Sequence, residues 1–108
     1  MQAKIEDFLG FLEAEKGYAD NTIAAYRNDL TQFLRYLEGT NQDPERADWA
    51  DIGKNTIISY VLSLKEREYT SSTVARKVAA IKSFFHYLMA EKAIRDDPTA
   101  TLDSPKVK

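Results

Sequence analysis

The chain has 108 residues, with 15 Lys+Arg against 17 Asp+Glu and a formal net charge of −2. That length predicts one domain whose hydrophobic core can fold without covalent cross-links. The chain has no cysteine and a single histidine, His86, so disulfides, a cysteine-based zinc site and a histidine cluster are excluded, and we expect no metal and no cofactor. Acidic residues follow soon after the N-terminus and no long apolar run exists, which predicts a cytoplasmic protein with no signal peptide and no membrane partner.

Apolar residues recur at helical spacing along nearly the whole chain, which predicts an all-α fold of four helices. The first is expected over residues 2–16, with Gly17 as its stop. The second opens at residues 20–22, whose short side chains can accept backbone N–H groups of the first turn, and ends at Gly39. The predicted core positions of these two helices are Ile5, Phe8, Leu9, Leu12, Ile23, Tyr26, Leu30, Phe33, Leu34 and Leu37.

The second half of the chain begins with a polar, acidic loop over residues 40–52, which we expect to hold one turn of helix with Trp49 and Ile52 beneath it. The third helix is predicted over residues 54–68. The fourth begins at residues 70–73, a cluster of cap-forming hydroxyl side chains, and is predicted to end near residue 92. The predicted core positions of these two helices are Ile57, Tyr60, Val61, Leu64, Val74, Val78, Ile81, Phe85 and Leu88.

The net charge hides a polarised molecule. Residues 1–53 hold 5 Lys+Arg and 11 Asp+Glu, a net of −6, whereas residues 54–108 hold 10 Lys+Arg and 6 Asp+Glu, a net of +4. Within the second half, residues 69–90 contain four basic side chains and no carboxylate. This distribution weakens the argument that an acidic protein does not bind nucleic acid.

The side of the fourth helix opposite its core is predicted to be small, hydroxylated and basic. Its positions are Ser72, Arg76, Ala79, Ala80 and Ser83, flanked by Thr73 and Tyr87. Small residues let a helix enter a groove, hydroxyls reach phosphates or base edges, and arginine can pair with guanine. The alternative is an ordinary solvated face with serine and threonine as caps.

The second helix offers a similar surface opposite its core. The positions are Asn21, Thr22, Ala24, Ala25, Asn28, Gln32 and Arg35. Asparagine and glutamine can read adenine through paired hydrogen bonds. Here too the alternative is capping and solvation, but two such helices together favour nucleic-acid binding.

Catalytic chemistry is not predicted. Pairs of carboxylates occur on amphipathic surfaces and in loops, with no histidine, cysteine or glycine-rich element beside them. General acid or base catalysis needs a cleft that shifts a pKa, which a small helical bundle seldom provides. We therefore expect no catalytic residue and no small-molecule substrate.

Three segments taken in chain order resemble a known family. Residues 21–30 carry the pattern N-T-x-x-x-Y-x-x-D-L, which is similar to the second helix of the core-binding domain of tyrosine recombinases, or phage integrases. Residues 70–88 resemble the fourth helix of that domain. Residues 97–99 and 102–106 resemble the exit into the catalytic domain, especially in Xer-type recombinases.

The resemblance implies a four-helix SAM-like domain over residues 1–96 and a linker over residues 97–108 that leads to a catalytic domain absent from this chain. In the family this domain is one half of a C-shaped clamp that lies on the major groove of a recombination half-site. The implied partners are double-stranded DNA and other recombinase protomers. The chain would bind DNA without cutting it.

Carried over residue by residue, the resemblance predicts DNA contacts from both helices and from the tail. These are Asn21, Thr22, Ala25, Asn28, Ser71, Ser72, Thr73, Arg76, Lys77, Ala80, Lys106 and Lys108. Asn28 stands where Xer-like relatives often place a basic residue, which implies weaker phosphate contacts there. The competing hypothesis is a helical protein-interaction domain, suggested by the acidic first half and the apolar first helix.

Overall fold

The computed structural model describes residues 1–40, 48–100 and 102, and in this part of the chain the regular elements are helices. The helices are α1 (Gln2–Ala14), α2 (Asp20–Thr40), α3 (Lys54–Glu66) and α4 (Ser71–Ala90), with a short 3₁₀ turn at Trp49–Asp51 before α3. The all-α prediction with four helices is confirmed. The chain divides into two compact units, residues 1–47 and 48–108, which are described separately below.

The first unit pairs α1 with α2. All four predicted core residues of α1 are buried, and α1 ends at Ala14, two residues before the predicted end. Gly17 follows with a φ of +64°, a backbone conformation that glycine adopts without steric cost. The N–H of Tyr18 then donates to the carbonyl of Leu12 at 3.2 Å, so the predicted stop at Gly17 is confirmed.

The helix α2 begins within the predicted residues 20–22 and departs from the prediction at its other end. It begins at Asp20, and the N–H of Ile23 donates to the carbonyl of Ala19, so Asn21 and Thr22 lie inside the first turn rather than before it. The prediction that Gly39 ends the helix is wrong by one residue. The last residue, Thr40, donates its hydroxyl to the carbonyl of Leu37 at 3.1 Å, which supplies a partner that the end of a helix otherwise lacks.

The core of the second unit is aromatic. Trp49 is buried, and its ring meets the rings of Phe84 and Phe85 edge-on, with centroids 4.8 and 5.9 Å apart. Such edge-to-face pairs are favourable beyond the area that they bury. The 3₁₀ turn that carries Trp49 begins at Asp48, whose carboxylate accepts from the N–H of Ala50. The predictions that this segment holds one turn of helix and that Trp49 is buried are confirmed, whereas Ile52 is half-buried and residues 41–47 lie outside the described residues.

The ends of α3 and α4 explain why these helices are shorter than predicted. Glu68 and Lys92 each have a φ of +62°, in the left-handed region that ends a helix. Each donates its N–H to a carbonyl in the last turn, Glu68 to Lys65 at 3.1 Å and Lys92 to Met89 at 3.0 Å. At the other end of α4, the hydroxyl of Thr70 accepts from the N–H of Thr73 at 3.2 Å, which confirms the predicted cap.

Candidate nucleic-acid interface

The amino half of α4 exposes the predicted polar face. Ser71, Ser72, Arg76 and Ala79 are exposed and Thr73 is half-buried. Ser72, Arg76 and Ala79 are spaced by four and three residues, so they lie on one side of the helix. The first turn of α4 contains no acidic residue, and the positive end of the helix dipole is therefore not offset by a nearby carboxylate on this helix.

Two predicted contact residues on α4 do not lie on that exposed face. Lys77 is only 3% exposed and Ala80 only 4%, so the prediction that Ala80 lies opposite the core is wrong. The sequence pattern suggested a narrow core stripe, whereas the buried residues of α4 extend over roughly 160° at about 100° per residue. Phe84, one turn after Ala80, is fully buried as well and widens the stripe on the same side.

The burial of Lys77 has a local explanation. Its ammonium nitrogen lies 5.4 Å from the centre of the Tyr69 ring, within the range of a cation–π contact. The aliphatic part of a lysine side chain also packs well against apolar surface. Lys77 therefore belongs to the packing around Tyr69, and Arg76 is the exposed cation at this level of α4.

The polar face of α2 lies where the pattern predicted it. Asn21, Thr22 and Asn28 are exposed and Ala25 is half-buried. Asn21, Ala25 and Asn28 follow the spacing of one helix side, with a small residue between two amides. The Asn28 amide also lies 3.4 Å from the carboxylate of Asp29, a long contact that orients it only weakly.

Arg27, beside the amino half of this face, is paired with an acidic side chain. The guanidinium of Arg27 donates to a carboxylate oxygen of Glu6 on α1 at 2.6 Å. This hydrogen bond lowers the pKa of Glu6 and raises the pKa of Arg27. Since both side chains are about half exposed, the pair contributes little to stability, but it offsets the charge of Arg27. The amino half of the α2 face therefore presents amides, and Arg35 adds an exposed positive charge about two turns further along the same side.

The charge difference between the halves is smaller when the two structural units replace the division at Gly53. Residues 1–47 hold 5 Lys+Arg and 9 Asp+Glu, a net of −4, and residues 48–108 hold 10 Lys+Arg and 8 Asp+Glu, a net of +2.

The second unit also has a surface groove that the sequence pattern did not predict. It is lined by Lys54 from the start of α3 and by Lys92, Arg95 and Asp96 from the segment after α4.

Two predicted DNA contacts lie in the tail of the chain. Lys106 and Lys108 lie outside the described residues, so their predicted contacts stay predictions. Within residues 1–40, 48–100 and 102, no group of three or more metal-ligating side chains comes together. None of the helices in this part of the chain is long and apolar enough to cross a membrane.

Comparison with known proteins gives a consistent result. A family model for the phage integrase N-terminal SAM-like domain matches residues 5–92. The chain is 49% identical over 107 residues to the tyrosine recombinase XerC of Roseiflexus sp. (strain RS-1), and 45% over 107 residues to XerC of Herpetosiphon aurantiacus. It is 32% identical over 106 residues to the tyrosine recombinase XerD of Oceanobacillus iheyensis.

These alignments cover 98 to 99% of the chain but only 33 to 35% of the relatives. The chain therefore spans about one third of the length of the curated relatives that it matches.

Proposed function

The chain belongs to the phage integrase N-terminal SAM-like domain family, and on that premise we propose that it is the DNA-binding arm of a site-specific tyrosine recombinase. The arm lies on the major groove of a recombination half-site as one half of a clamp. Strand cleavage and rejoining belong to the rest of the parent protein. The observation that carries the proposal is α4, which is free of carboxylates and exposes two serines, Arg76 and Ala79 on its amino half.

The chemistry of that face suits a groove lined by phosphates. The amino end of α4 presents partial positive charge to an anion, and Ser71 and Ser72 place hydroxyls beside it. Arg76 follows one turn later, in reach of a phosphate or of a guanine edge. Ala79 lets the helix backbone approach the DNA closely. Lys77 and Ala80 are left out of the proposed surface because they are buried.

The face of α2 complements this with base recognition. Asn21 and Asn28 carry amides that can both donate and accept, as bidentate contact with adenine requires. Because Arg27 is held by Glu6, Arg35 is the cation that this side of α2 offers to a phosphate, and the second unit, with its net charge of +2, supplies the larger attraction. We therefore propose that α4 supplies most of the salt-dependent affinity and that α2 supplies sequence preference.

The experiment is a titration of the chain with duplex DNA carrying a half-site selected from a random library. Amide signals of residues 21–28 and 71–83 should shift, with affinity falling as salt rises. Shifts confined to other residues would show that the assigned surface is wrong.

The first variant tested is Arg76→Ala. It should weaken binding about tenfold and reduce the slope of log affinity against log salt by about 1 if Arg76 neutralises a phosphate. The matched control is Arg67→Ala, which removes the same charge from the end of α3 in the same unit and should change affinity less than about twofold. Equal effects of the two substitutions would assign the loss to overall charge and remove Arg76 from the interface.

A helical protein-interaction domain is the second candidate, and one observation favours it. Leu62 on α3 and Met89 on α4 are 53% and 45% exposed, so each offers apolar surface that a protein partner could cover. Association with other recombinase protomers on DNA would also use such residues, so the two functions differ in whether association requires DNA. Sedimentation with and without DNA measures this difference.

A further inference from the structure

The segment after α4 turns back and packs against the second unit. The helix ends with Lys92 in the left-handed conformation, and the N–H of Ala93 donates to the carbonyl of Leu88 at 2.9 Å. This pair of features is a Schellman motif, which reverses the chain direction. Ile94 is then buried, so the chain returns to the core of the second unit instead of leaving it.

Asp97 is the centre of the next contact. One carboxylate oxygen, Oδ1, accepts from the N–H of Thr99 at 2.8 Å and from its hydroxyl at 2.6 Å. The other, Oδ2, lies 3.1 Å from Nε2 of His86 on α4. The Asp97 side chain is 5% exposed and Thr99 is 2% exposed, so this carboxylate has exchanged water for two donors of Thr99 and the imidazole of His86.

The same carboxylate begins a turn of the chain. Asp97 accepts from the residue two positions later, and Pro98 stands between them, where the absence of an N–H is harmless. The N–H of Ala100 donates to the carbonyl of Asp97 at 3.2 Å, and that of Leu102 donates to Thr99 at 3.0 Å. The direction of the chain beyond Asp97 is therefore set by one carboxylate whose second oxygen is held by α4.

We propose that His86 is a positioning residue that, through Asp97 and Thr99, fixes the direction in which the chain leaves α4. We call the three residues the exit latch. Resting on the proposed function, the exit latch couples the DNA-contacting helix α4 to the path of the following catalytic domain, and Asp97 and Thr99 belong to the domain rather than to the linker. His86 is suited to this role because its side chain is 68% exposed and makes its contact from the surface.

The first test uses the chain without DNA and measures amide hydrogen exchange of Thr99, Ala100 and Leu102 by NMR. His86→Ala should raise their exchange about fivefold, the equivalent of one lost hydrogen bond, while core amides of α4 stay unchanged. His86→Gln keeps an amide donor and should restore most of the protection. Met89→Ala, another exposed α4 position, is the control and should leave all three amides unchanged.

The ring signal of His86 gives a spectroscopic check. Asp97→Asn should shift the Nε2 resonance of His86, since the acceptor loses its charge, and should raise the exchange of Thr99. If His86→Ala leaves the three amides within twofold of the unsubstituted chain, the exit latch is overturned.

The second test uses the full-length recombinase and a half-site duplex. His86→Ala should weaken binding at least fivefold and His86→Gln should restore it, because only the chain direction has changed. Unchanged binding by the full-length His86→Ala protein overturns the coupling to the catalytic domain. If the unsubstituted protein fails to bind DNA at all, the proposed function fails while the exchange result still decides whether the exit latch exists.

Discussion

At the scale of single residues, two side chains occupy backbone conformations that suit glycine. Glu68 and Lys92 both have a φ of +62° immediately after a helix. A residue with a Cβ in the left-handed region costs about 1 kcal/mol more than glycine. Nothing in the apolar periodicity marks these positions, which is why α3 and α4 were predicted to run longer than they do.

Glu68→Gly should therefore stabilise the protein. We expect a gain of about 0.5 to 1 kcal/mol in the free energy of unfolding by urea, because relief of strain exceeds the added flexibility of the unfolded chain. Glu68→Ala removes the same charge but keeps the Cβ, and it should give no comparable gain. A stability of Glu68→Gly no higher than that of Glu68→Ala would show that the conformation is not strained.

The ion pair between Glu6 and Arg27 makes a second residue-scale prediction. The hydrogen bond from Arg27 lowers the pKa of Glu6 from its ordinary value of 4.5, so the folded state favours the charged carboxylate. That contribution is complete above pH 4.5, the ordinary value, and is lost as the pH falls through the lower folded value. Because the pair is exposed, we expect about 0.5 kcal/mol.

Urea unfolding of Glu6→Gln across the acidic range measures this. The unsubstituted protein should be more stable by about 0.5 kcal/mol near neutral pH, with the difference vanishing below the folded pKa of Glu6. Glu13→Gln, which removes another exposed carboxylate of α1, should show a smaller difference. A difference between the Glu6 variant and the unsubstituted protein that persists unchanged into strong acid would argue against the ion pair as its cause.

At the scale of helices, periodicity located the elements because each one buries an amphipathic stripe. It could not give the width of the stripe. Lys77, Ala80 and Asp29 are all buried although two of them are charged and one is small, because burial depends on what packs against a helix from elsewhere. The polarity of the side chains therefore predicted the exposed residues in the first turns of α2 and α4 correctly. It did not predict which residues beside the core stripe are buried, because tertiary packing decides that.

Asp20, in the first turn of α2, is expected to stabilise the helix and to weaken DNA binding. Asp20 is exposed at the first helical position, where a negative charge is favoured by the helix dipole by about 0.5 kcal/mol. The same charge stands beside Asn21 and Thr22, which we propose to contact DNA, and it repels phosphate. Asp20→Asn should therefore lower stability slightly while raising affinity for duplex DNA about threefold at low salt.

Fluorescence anisotropy with a labelled half-site measures the change in affinity for DNA. Glu13→Gln again serves as the control, since it removes one acid from the same unit on α1. The two variants should differ at low salt and converge at high salt, where exposed charges are screened. Equal gains at low salt would mean that only the net charge of the unit matters and that the tip of α2 lies away from DNA.

At the scale of the whole molecule, a net charge of −2 is the sum of an acidic and a basic unit, −4 over residues 1–47 and +2 over residues 48–108. The average charge therefore hides the basic unit that we propose to contact DNA. Order and spacing of three segments indicated the recombinase family, and the family match over residues 5–92 confirms that. The exit latch lay beyond prediction because its parts, His86 and Asp97, are joined only by the fold.

Self-association of the chain without DNA separates the two candidate functions. A stable protein interface buries at least about 1,000 Å² with an apolar centre, and two side chains such as Leu62 and Met89 cannot supply that alone. Attraction between the acidic and basic units of two copies is exposed and screened by salt. In sedimentation at physiological salt, the 12.3 kDa chain should therefore be a monomer without DNA and form assemblies of two protomers only on duplexes with two adjacent half-sites.

Leu62→Glu and Glu66→Leu, substitutions at exposed positions of the same helix, sharpen that measurement. Neither should change the monomer without DNA, and only a loss of the second protomer on DNA would place Leu62 between protomers. A dimer that forms without DNA and is dissociated by Leu62→Glu would instead establish the protein-interaction function. The two outcomes differ because a DNA-dependent assembly draws its free energy from the duplex that holds both copies, whereas an autonomous dimer must bury enough apolar surface by itself.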